Sequence, residues 1–517
     1  MGCIDRAITV KKNAILWVAL IAIFFGLMVL ISRYFYLISQ NYLAGPDTYY
    51  YALQVKWYVI TGALKIHDSS PLLQLMGWTA KLGLSCEQTI ILWTNLIQLL
   101  CIISVLIAAR LIRQENSGSI ILPLTCAWVI LSPNLAFTCI EFPKYAFSLI
   151  FLPLWPVGLV HRKLWPVSLG AVILACVSHL TMIGLLCLVL FGVILSGITR
   201  LNLGLFKKPR FAAGIAVLVL VIGVILGGLF LSANWQRIQW RGLQPSLWTF
   251  FSRPGLPTLL KIEVGISVTI SIILLIGAFK DQTKVISRFW APFTLFLLLF
   301  PLGSTEIMGI PERLCLMLPL VTVCALIGMG KQFPVLVKAI SYALVGLALV
   351  LTAIFPKLYL DLVHPDLLNP DYHLYAQVTQ AIGRREIPML IAHQGLNYFY
   401  KYQTMQESFP YEPESHWPKQ KIWRIVYGIT PAEWSYYLSE QYLWGSGFLF
   451  SITGPYSLIR EDCWNLFRNQ VILSSNEELK ELVFHSWLNP SQKRPEFARR
   501  RSEKNDEGEF SAYPNSP

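Results

Sequence analysis

An aspartate stands in an aromatic stretch directly after the first long apolar segment of the chain. Residues 45–52 read Gly-Pro-Asp-Thr-Tyr-Tyr-Tyr-Ala, with Asp47 as the acid. Burial in a low dielectric makes a carboxylate a stronger base, which suits general-base catalysis at a membrane surface. Because a Pro-Asp-Thr sequence before a helix is also typical of an N-cap, the local pattern supports a catalytic acid and a capping residue equally.

His67 and Asp68 lie a short way downstream, in front of Ser70 and Pro71. An adjacent histidine and aspartate can relay a proton or hold the phosphate and hydroxyl groups of a ligand. The alternative is a solvated turn in which Asp68 and Ser70 cap the next helix. Taken singly, each residue is more typical of a capped turn than of a ligand-binding or proton-relay site.

Glu141 and Lys144 occur in the stretch Cys-Ile-Glu-Phe-Pro-Lys-Tyr, at the outer end of two predicted membrane helices. A lone lysine on that side departs from the charge bias of the loops and predicts an anionic partner. Glu141 is one candidate partner and a substrate phosphate is the other. Ionisable residues at membrane depth favour a functional interpretation.

Glu312 and Arg313 follow Gly-Ile-Pro and are predicted to open a late helix at its outer end. Arginine suits bidentate phosphate recognition, and a helix N-terminus adds backbone donors. Pairing of Arg313 with Glu306 or Glu312 is an equally good explanation. His179 either lines the same outer cavity or packs between two short helices.

The composition identifies the class of protein that must position these residues. Of 517 residues, 55% are hydrophobic and only 14% are charged, against about 25% charged in soluble domains. Applying the length that a spanning helix needs, we predict about eleven transmembrane helices. The segments are residues 14–33, 88–108, 119–133, 144–160, 165–179, 181–197, 211–231, 262–279, 289–302, 313–329 and 337–355.

The formal charge of +13 comes mainly from loops on one side of these segments. Lysine and arginine accumulate in cytoplasmic loops, so the excess is a topology signal and does not indicate a nucleic-acid partner. The N-terminus is therefore predicted to be cytoplasmic, and residues from 356 onward to be outside the membrane. The absence of Asn-x-Ser/Thr acceptors favours a prokaryotic plasma membrane.

We predict three parts: a transmembrane domain over residues 1–355, a small exoplasmic α/β domain over 356–490, and a disordered tail over 491–517. The first outer loop, 34–87, should hold two interface helices, one rich in tyrosine from Thr48 to Leu64 and one from Ser70 to Gly83. In the α/β domain, a buried strand is predicted at 388–392, a helix N-terminus at 430–433, and a strand pair at 447–457.

This arrangement resembles the GT-C superfamily of membrane glycosyltransferases. The group includes oligosaccharyltransferase catalytic subunits, protein O-mannosyltransferases and the aminoarabinose transferase of lipid A. The resemblance covers residues 1–355 and rests on four stretches: 45–50 with its aspartate and tyrosines, the turn from 62 to 71, residues 141–144, and residues 311–313. It implies a polyprenyl-phosphate-linked sugar donor, a helical core and a soluble outer domain.

The resemblance also implies roles for individual residues. Asp47 matches the catalytic acid of the first loop, with Tyr50 beside it as a substrate contact. Glu141 falls at the second acidic motif, and Arg313 at the late-loop arginine that holds the donor phosphate. Asp47 has no acidic neighbour and the Trp-Trp-Asp acceptor motif is missing, so metal use and protein glycosylation do not follow. The cofactor stays unknown, with a divalent metal left open.

The sequence thus predicts an integral-membrane glycosyltransferase that moves a sugar from a polyprenyl phosphate to a lipid, glycan or protein acceptor on the outer face. In this hypothesis Asp47 is the base, Arg313 and Lys144 hold the leaving phosphate, and the remaining candidates position sugar or acceptor. Those remaining candidates are Tyr50, His67, Asp68, Glu141 and Glu312. The alternative is a non-enzymatic flippase or transporter of lipid-linked glycans, or a scaffold for envelope assembly.

Overall fold

The computed structural model describes six parts of the chain: residues 24–112 (except 25, 45–47, 67 and 69), 126–182 (except 127, 180 and 181), 246–280 (except 253–257), 310–327, 370–409 (except 384–386, 388 and 393), and 422–427, 449–453, 456–460 and 464. The chain divides into two compact units. Unit 1 comprises Met1–Gly45 and Thr61–Leu367, and unit 2 comprises Pro46–Ile60 and Leu368–Pro517.

Helices make up most of the described residues. In chain order they are α1 (Gly26–Ile38), α2 (Thr48–Thr61), α3 (Pro71–Lys81), α4 (Cys86–Ile112), α5 (Pro133–Glu141), α6 (Pro143–Leu149), α7 (Val157–Val160), α8 (Trp165–Ser178), α9 (Ser246–Ser252), α10 (Thr258–Lys280), α11 (Ile310–Leu316), α12 (Leu318–Ile327), α13 (Pro370–Gly383) and α14 (Gln394–Thr404). The strands are β1 (Met389–Ile391), β2 (Ser408–Phe409), β3 (Ile422–Tyr427), β4 (Leu449–Thr453) and β5 (Tyr456–Arg460).

Helix α3 begins and ends where local signals predict. Ser70 occupies the N-cap and Pro71 the first turn, where a missing N–H is harmless. The helix stops before Gly83, whose φ of 106° is one that residues with a side chain rarely adopt. The predicted helix from Ser70 to Gly83 is therefore confirmed.

Two predicted spanning segments differ in the structure. The segment 144–160 is not one helix, because α6 gives way to a 3₁₀ turn at Leu152–Leu154 and then to the four-residue α7. The segment 313–329 begins earlier, at Ile310, and is interrupted at Met317 between α11 and α12. Pro153 and Pro319 stand at these interruptions, where the missing proline N–H removes helix hydrogen bonds.

Among the described residues, α4 alone is long and apolar enough to cross a membrane by length and composition. Shorter apolar helices lie at Gly26–Ile38, Trp165–Ser178 and Arg313–Leu326. The segments 181–197, 211–231, 289–302 and 337–355 lie essentially outside the described residues, so the predicted number of helices stays a prediction.

Helix α10 shows an inverted distribution of polarity. Glu263, Ser267 and Ser271 are buried, whereas Ile262 and Ile272 are exposed. The three polar residues are spaced by four, so they share one face of the helix. Polar groups inside and apolar groups outside are what a lipid environment favours, because polar side chains there pair with neighbouring helices.

The helical segment before Pro133 is interrupted, and buried side chains donate hydrogen bonds to the carbonyl groups that lose their helical partners. Pro133 has no N–H to donate to the helix carbonyl of Val129. The amide of Gln98 donates to the carbonyls of Val129 and Ile130, at 3.1 and 2.7 Å. Arg33, itself buried, donates to the Gln98 side chain at 2.7 Å. Donors thus gather at the negative end of a helical segment.

After the interruption, at the start of α5, a buried carboxyl group accepts hydrogen bonds. The Glu263 carboxyl group accepts hydrogen bonds from the backbone N–H and side-chain amide of Asn134, at 2.9 and 2.6 Å, and from Trp128 Nε1 at 2.8 Å. Asn134 lies in the first turn of α5, where free N–H groups favour a negative partner. Helix α10 is therefore fastened to the start of α5.

Unit 2 combines a five-stranded sheet with helices. The strand order is β2-β1-β3-β5-β4, with β1 parallel to both its neighbours and β3, β5 and β4 antiparallel. Strand β1 lies within the predicted strand at 388–392, and β4 and β5 form the predicted pair at 447–457. The predicted helix start at 430–433 lies outside the described residues.

Helix α2 belongs to unit 2 and packs its rings there, while its predicted place in the membrane interface stays a prediction. Tyr49 is buried and packs edge-on against Tyr372 and Phe399, at 4.9 and 4.7 Å between ring centroids. Lys56 donates to the carbonyl of Tyr402 at 2.6 Å and lies 4.7 Å from that ring. Because this partner is 346 residues away, α2 forms part of a core that no local pattern shows.

Candidate functional site

Lys144 in unit 1 is paired with Asp68. The ammonium nitrogen lies 2.5 Å from Asp68 Oδ2, and the two side chains are 22% and 8% exposed. Asp68 Oδ1 also accepts the backbone N–H of Ser70 at 2.9 Å, which orders the turn before α3. Among the described residues the acidic partner of Lys144 is therefore Asp68 and not Glu141, while a substrate phosphate as its partner stays a prediction. Asp68 thus orders the turn through the N–H of Ser70, while Ser70 itself occupies the N-cap of α3 without a side-chain cap hydrogen bond.

The position of Lys144 is electrostatically unusual. It is the second residue of α6, at the positive end of the helix dipole, where a cation is disfavoured. Within the described residues Asp68 is the one hydrogen-bond partner of its ammonium group, which has three N–H donors. The local potential therefore suits a further anion.

Arg313 lies near Lys144 in the same unit, held by aromatic residues of α5 and α6. Its guanidinium carbon is 4.3 Å from the centroid of the Phe142 ring. The hydroxyl of Tyr145 donates to the backbone carbonyl of Arg313 at 2.9 Å. Among the described residues no carboxylate forms an ion pair with Arg313, and its buried Nε has no hydrogen-bond partner. The guanidinium is thus ordered by its contact with the Phe142 ring, while its predicted alternative partners, Glu306 and the side chain of Glu312, lie outside the described residues.

Arg313 does not open its helix as predicted. It is the fourth residue of the seven-residue α11 and lies in its last turn. A helix N-terminus therefore contributes nothing to it, and phosphate recognition would depend on the guanidinium itself.

His179 completes the cluster. Its ring meets that of Tyr145 at 5.3 Å and an interplanar angle of 63°. Arg313, Lys144 and Asp68 all lie within electrostatic range of its imidazole ring. Residues from the first loop, α6, the end of α8 and α11 therefore meet at one place in unit 1. We call Asp68, Lys144, Tyr145, His179 and Arg313 the cation cluster.

The remaining predicted residues have different positions. Glu141 ends α5 and is half-buried, one residue before Phe142. Tyr50 lies in α2 of unit 2, half-buried, with its ring 5.2 Å from that of Tyr398. Asp47 and His67, together with the side chain of Glu312, lie outside the described residues, so their roles stay predictions.

The cation cluster can bind an anion that carries several oxygens. An ammonium group and a guanidinium group supply charge, and arginine offers paired N–H donors that match phosphate geometry. Three or more metal-ligating side chains do not come together anywhere among the described residues. Phosphate binding by side chains is thus the chemistry that this geometry supports.

Three residues escaped the sequence analysis as functional candidates. Phe142 and Tyr145 lie within a stretch that was singled out, but their roles depend on Arg313, which is distant in sequence. Glu263 carried a usable signal, because an acid inside an apolar segment is expensive and is kept only where it has partners.

No protein-family model and no curated protein matches the sequence. Two solved structures do resemble it. Both are of ArnT. One is ArnT from Cupriavidus metallidurans bound to undecaprenyl phosphate, with a TM-score of 0.48 and 11% identity, covering 87% of this chain and 98% of that one. The other is the same protein in the apo state, with a TM-score of 0.49 and 15% identity, covering 88% and 98%.

Both TM-scores lie below 0.5, and functional conclusions about this chain are therefore drawn from its own residues.

Proposed function

We propose that the chain is an integral-membrane glycosyltransferase of the GT-C type that takes its sugar from a polyprenyl phosphate. The supporting observation is the cation cluster, in which Lys144 and Arg313 come together although 169 positions separate them in the sequence. The acceptor is a lipid, glycan or protein hydroxyl on the outer face of a prokaryotic plasma membrane.

The donor phosphate would bind between Lys144 and Arg313. An incoming phosphate would compete with Asp68 for the ammonium group of Lys144 and would use the donors on the polar edge of Arg313. Phe142 would hold the guanidinium plane in place beneath it. This arrangement stabilises the negative charge that grows on the leaving phosphate oxygen during transfer.

Transfer then requires one bond to form and one to break. The acceptor hydroxyl oxygen attacks the anomeric carbon of the sugar, and the bond from that carbon to the phosphate oxygen breaks. The hydroxyl proton goes to Asp47, and the bonding electrons leave with the polyprenyl phosphate. The role of Asp47 comes from the sequence resemblance, and those of Lys144 and Arg313 from their geometry.

The decisive variant is Asp47→Asn, which keeps the size of the side chain and removes its basicity. We expect envelope glycans, examined by mass spectrometry in a strain lacking the protein, to regain the modified species with the wild-type chain and not with Asp47→Asn. Glu87→Gln, an acid-to-amide change in the first turn of α4, is the matched control and should restore the product. A full yield of product with Asp47→Asn, at equal expression, would contradict this mechanism.

The helix interruptions at Pro133 and Met317 favour a second candidate, a flippase for lipid-linked glycans, because broken helices are common in transporters. The two functions differ in what happens to the donor. A transferase in detergent releases free polyprenyl phosphate from a sugar-loaded donor when acceptor is added. A flippase moves the intact donor across proteoliposomes and releases none.

A further inference from the structure

The buried carboxyl group of Glu263 has no part in the proposed chemistry, yet it is built into the frame that carries Arg313. Three groups donate hydrogen bonds to it: the backbone N–H and the amide of Asn134, and the indole of Trp128. An acid in a buried apolar setting is unfavourable unless such donors compensate it. We therefore expect the buried carboxyl group to contribute to the structure or the function of the protein.

Glu263 holds one end of α5, and the other end leads to Phe142. A nine-residue helix is about 14 Å long and behaves as a rigid connection. Phe142 follows its last residue and supports the Arg313 guanidinium at 4.3 Å. A shift at the start of α5 is therefore carried to the ring under the cation.

The same face of α10 also holds the helix pair that bears Arg313. Ser271 and Thr322 share a hydrogen bond at 3.1 Å, and Thr322 donates to the Ser267 carbonyl at 3.3 Å. Thr322 belongs to α12, which follows α11 after the interruption at Met317. Helix α10 thus fixes both the supporting ring and the arginine.

Side-chain packing alone does not set this spacing. A mostly apolar cavity lies between the start of α5 and the junction of α11 and α12, lined in part by Trp128, Ser132, Leu316 and Met317. The separation of the two broken helices therefore depends on the hydrogen bonds that each makes to α10 as well as on apolar packing.

We propose that Glu263 is a positioning residue for Arg313, acting through α5 and Phe142. The inference rests on the proposed function, since it assigns Arg313 the task of binding the donor phosphate. Glu263 itself touches neither donor nor acceptor in this scheme. It sets the position of the ring on which the guanidinium lies.

The test compares binding of farnesyl phosphate and of neutral farnesol to the purified full-length protein. The ratio of the two affinities isolates recognition of the phosphate. We expect Glu263→Gln, which places an amide N–H₂ against hydrogen-bond donors, to lower this ratio about tenfold. Ile270→Ala, a cavity in the buried side of the same helix, should lower the melting temperature and leave the ratio unchanged.

A double-mutant cycle shows whether Glu263 acts through Arg313. Arg313→Ala should lower the ratio by itself, and adding Glu263→Gln should then lower it no further. If Glu263→Gln reduces the ratio equally in both backgrounds, or not at all, the positioning role is wrong. If Arg313→Ala leaves the ratio at the wild-type value, the proposed phosphate site fails instead.

Trp128→Phe serves if Glu263→Gln does not fold. It removes one donor to the carboxyl group and keeps an aromatic ring beside the cavity. The same cycle applies to it, with a smaller expected loss of the ratio, and an unchanged ratio would overturn the inference.

Discussion

Removing the charge of Asp68 should lower the stability of the protein and strengthen its binding of phosphate. In Asp68→Asn the new amide group keeps an oxygen for the Ser70 N–H, which Asp68 accepts at 2.9 Å, so the variant isolates the charge. Because Asp68 is paired with Lys144 in the structure, a donor phosphate competes with it for the ammonium group. The variant removes that competitor.

The geometry sets the size of both effects. The pair is 2.5 Å apart, with side chains 22% and 8% exposed, so it lies between exposed and buried ion pairs. Exposed pairs contribute about 0–1 kcal/mol, and breaking a buried pair costs about 3–5 kcal/mol. We therefore expect a loss of about 2 kcal/mol in the free energy of unfolding. Relief from competition of about 1.4 kcal/mol corresponds to about tenfold tighter phosphate binding.

The assay measures melting temperature and farnesyl phosphate affinity on the same detergent-purified samples. Lys144→Met is the partner control and should lower both quantities, because it removes the ion pair and the phosphate ligand together. If Asp68→Asn weakens farnesyl phosphate binding while it lowers the melting temperature, the pair is purely structural and the assignment of Lys144 to the phosphate is wrong.

Two further predictions concern stability. Lys56→Met removes a charged hydrogen bond and a cation–π contact to Tyr402 in unit 2, and should lower the free energy of unfolding by about 2 kcal/mol, measured by chemical denaturation. Gln98→Leu leaves two helix carbonyl groups and an arginine donor unpaired, at about 3 kcal/mol or more, so the melting temperature should fall well below that of Ser104→Ala. Ser104→Ala removes a buried hydroxyl that has no partner, on the same helix, and should be nearly neutral; equal losses would contradict the role given to Gln98.

Local sequence signals predicted elements whose boundaries depend on neighbouring residues. Ser70, Pro71 and Gly83 delimit α3 because an extended N-cap backbone, a fixed proline φ and a positive φ act within one turn. The strand pair β4–β5 was predicted similarly, from the Gly-Pro sequence at 454–455 between the two strands. The apolar run that became α4 was recognisable by length alone.

The sequence predicted which residues belong to the candidate site, but not which of them contact one another. Residue type and membrane side singled out Asp68, Lys144 and Arg313, which the structure brings into one cluster. The sequence could not show that Lys144 pairs with an acid 76 positions away, because Glu141 was a nearer candidate. Nor could it show that Phe142 supports Arg313, since aromatic residues are common in membrane helices.

The sequence by itself determined the class of protein, through its apolar runs and loop charges, and the identity of the ionisable residues that cluster in unit 1. Only the tertiary structure decided which of those charges meet, that α2 packs with residues near position 400, and that Glu263 fastens α10 to α5. The physical reason is the sequence separation over which each kind of interaction acts. Capping, hydropathy and turn formation act over a few residues, whereas ion pairs and ring contacts depend on how distant segments pack.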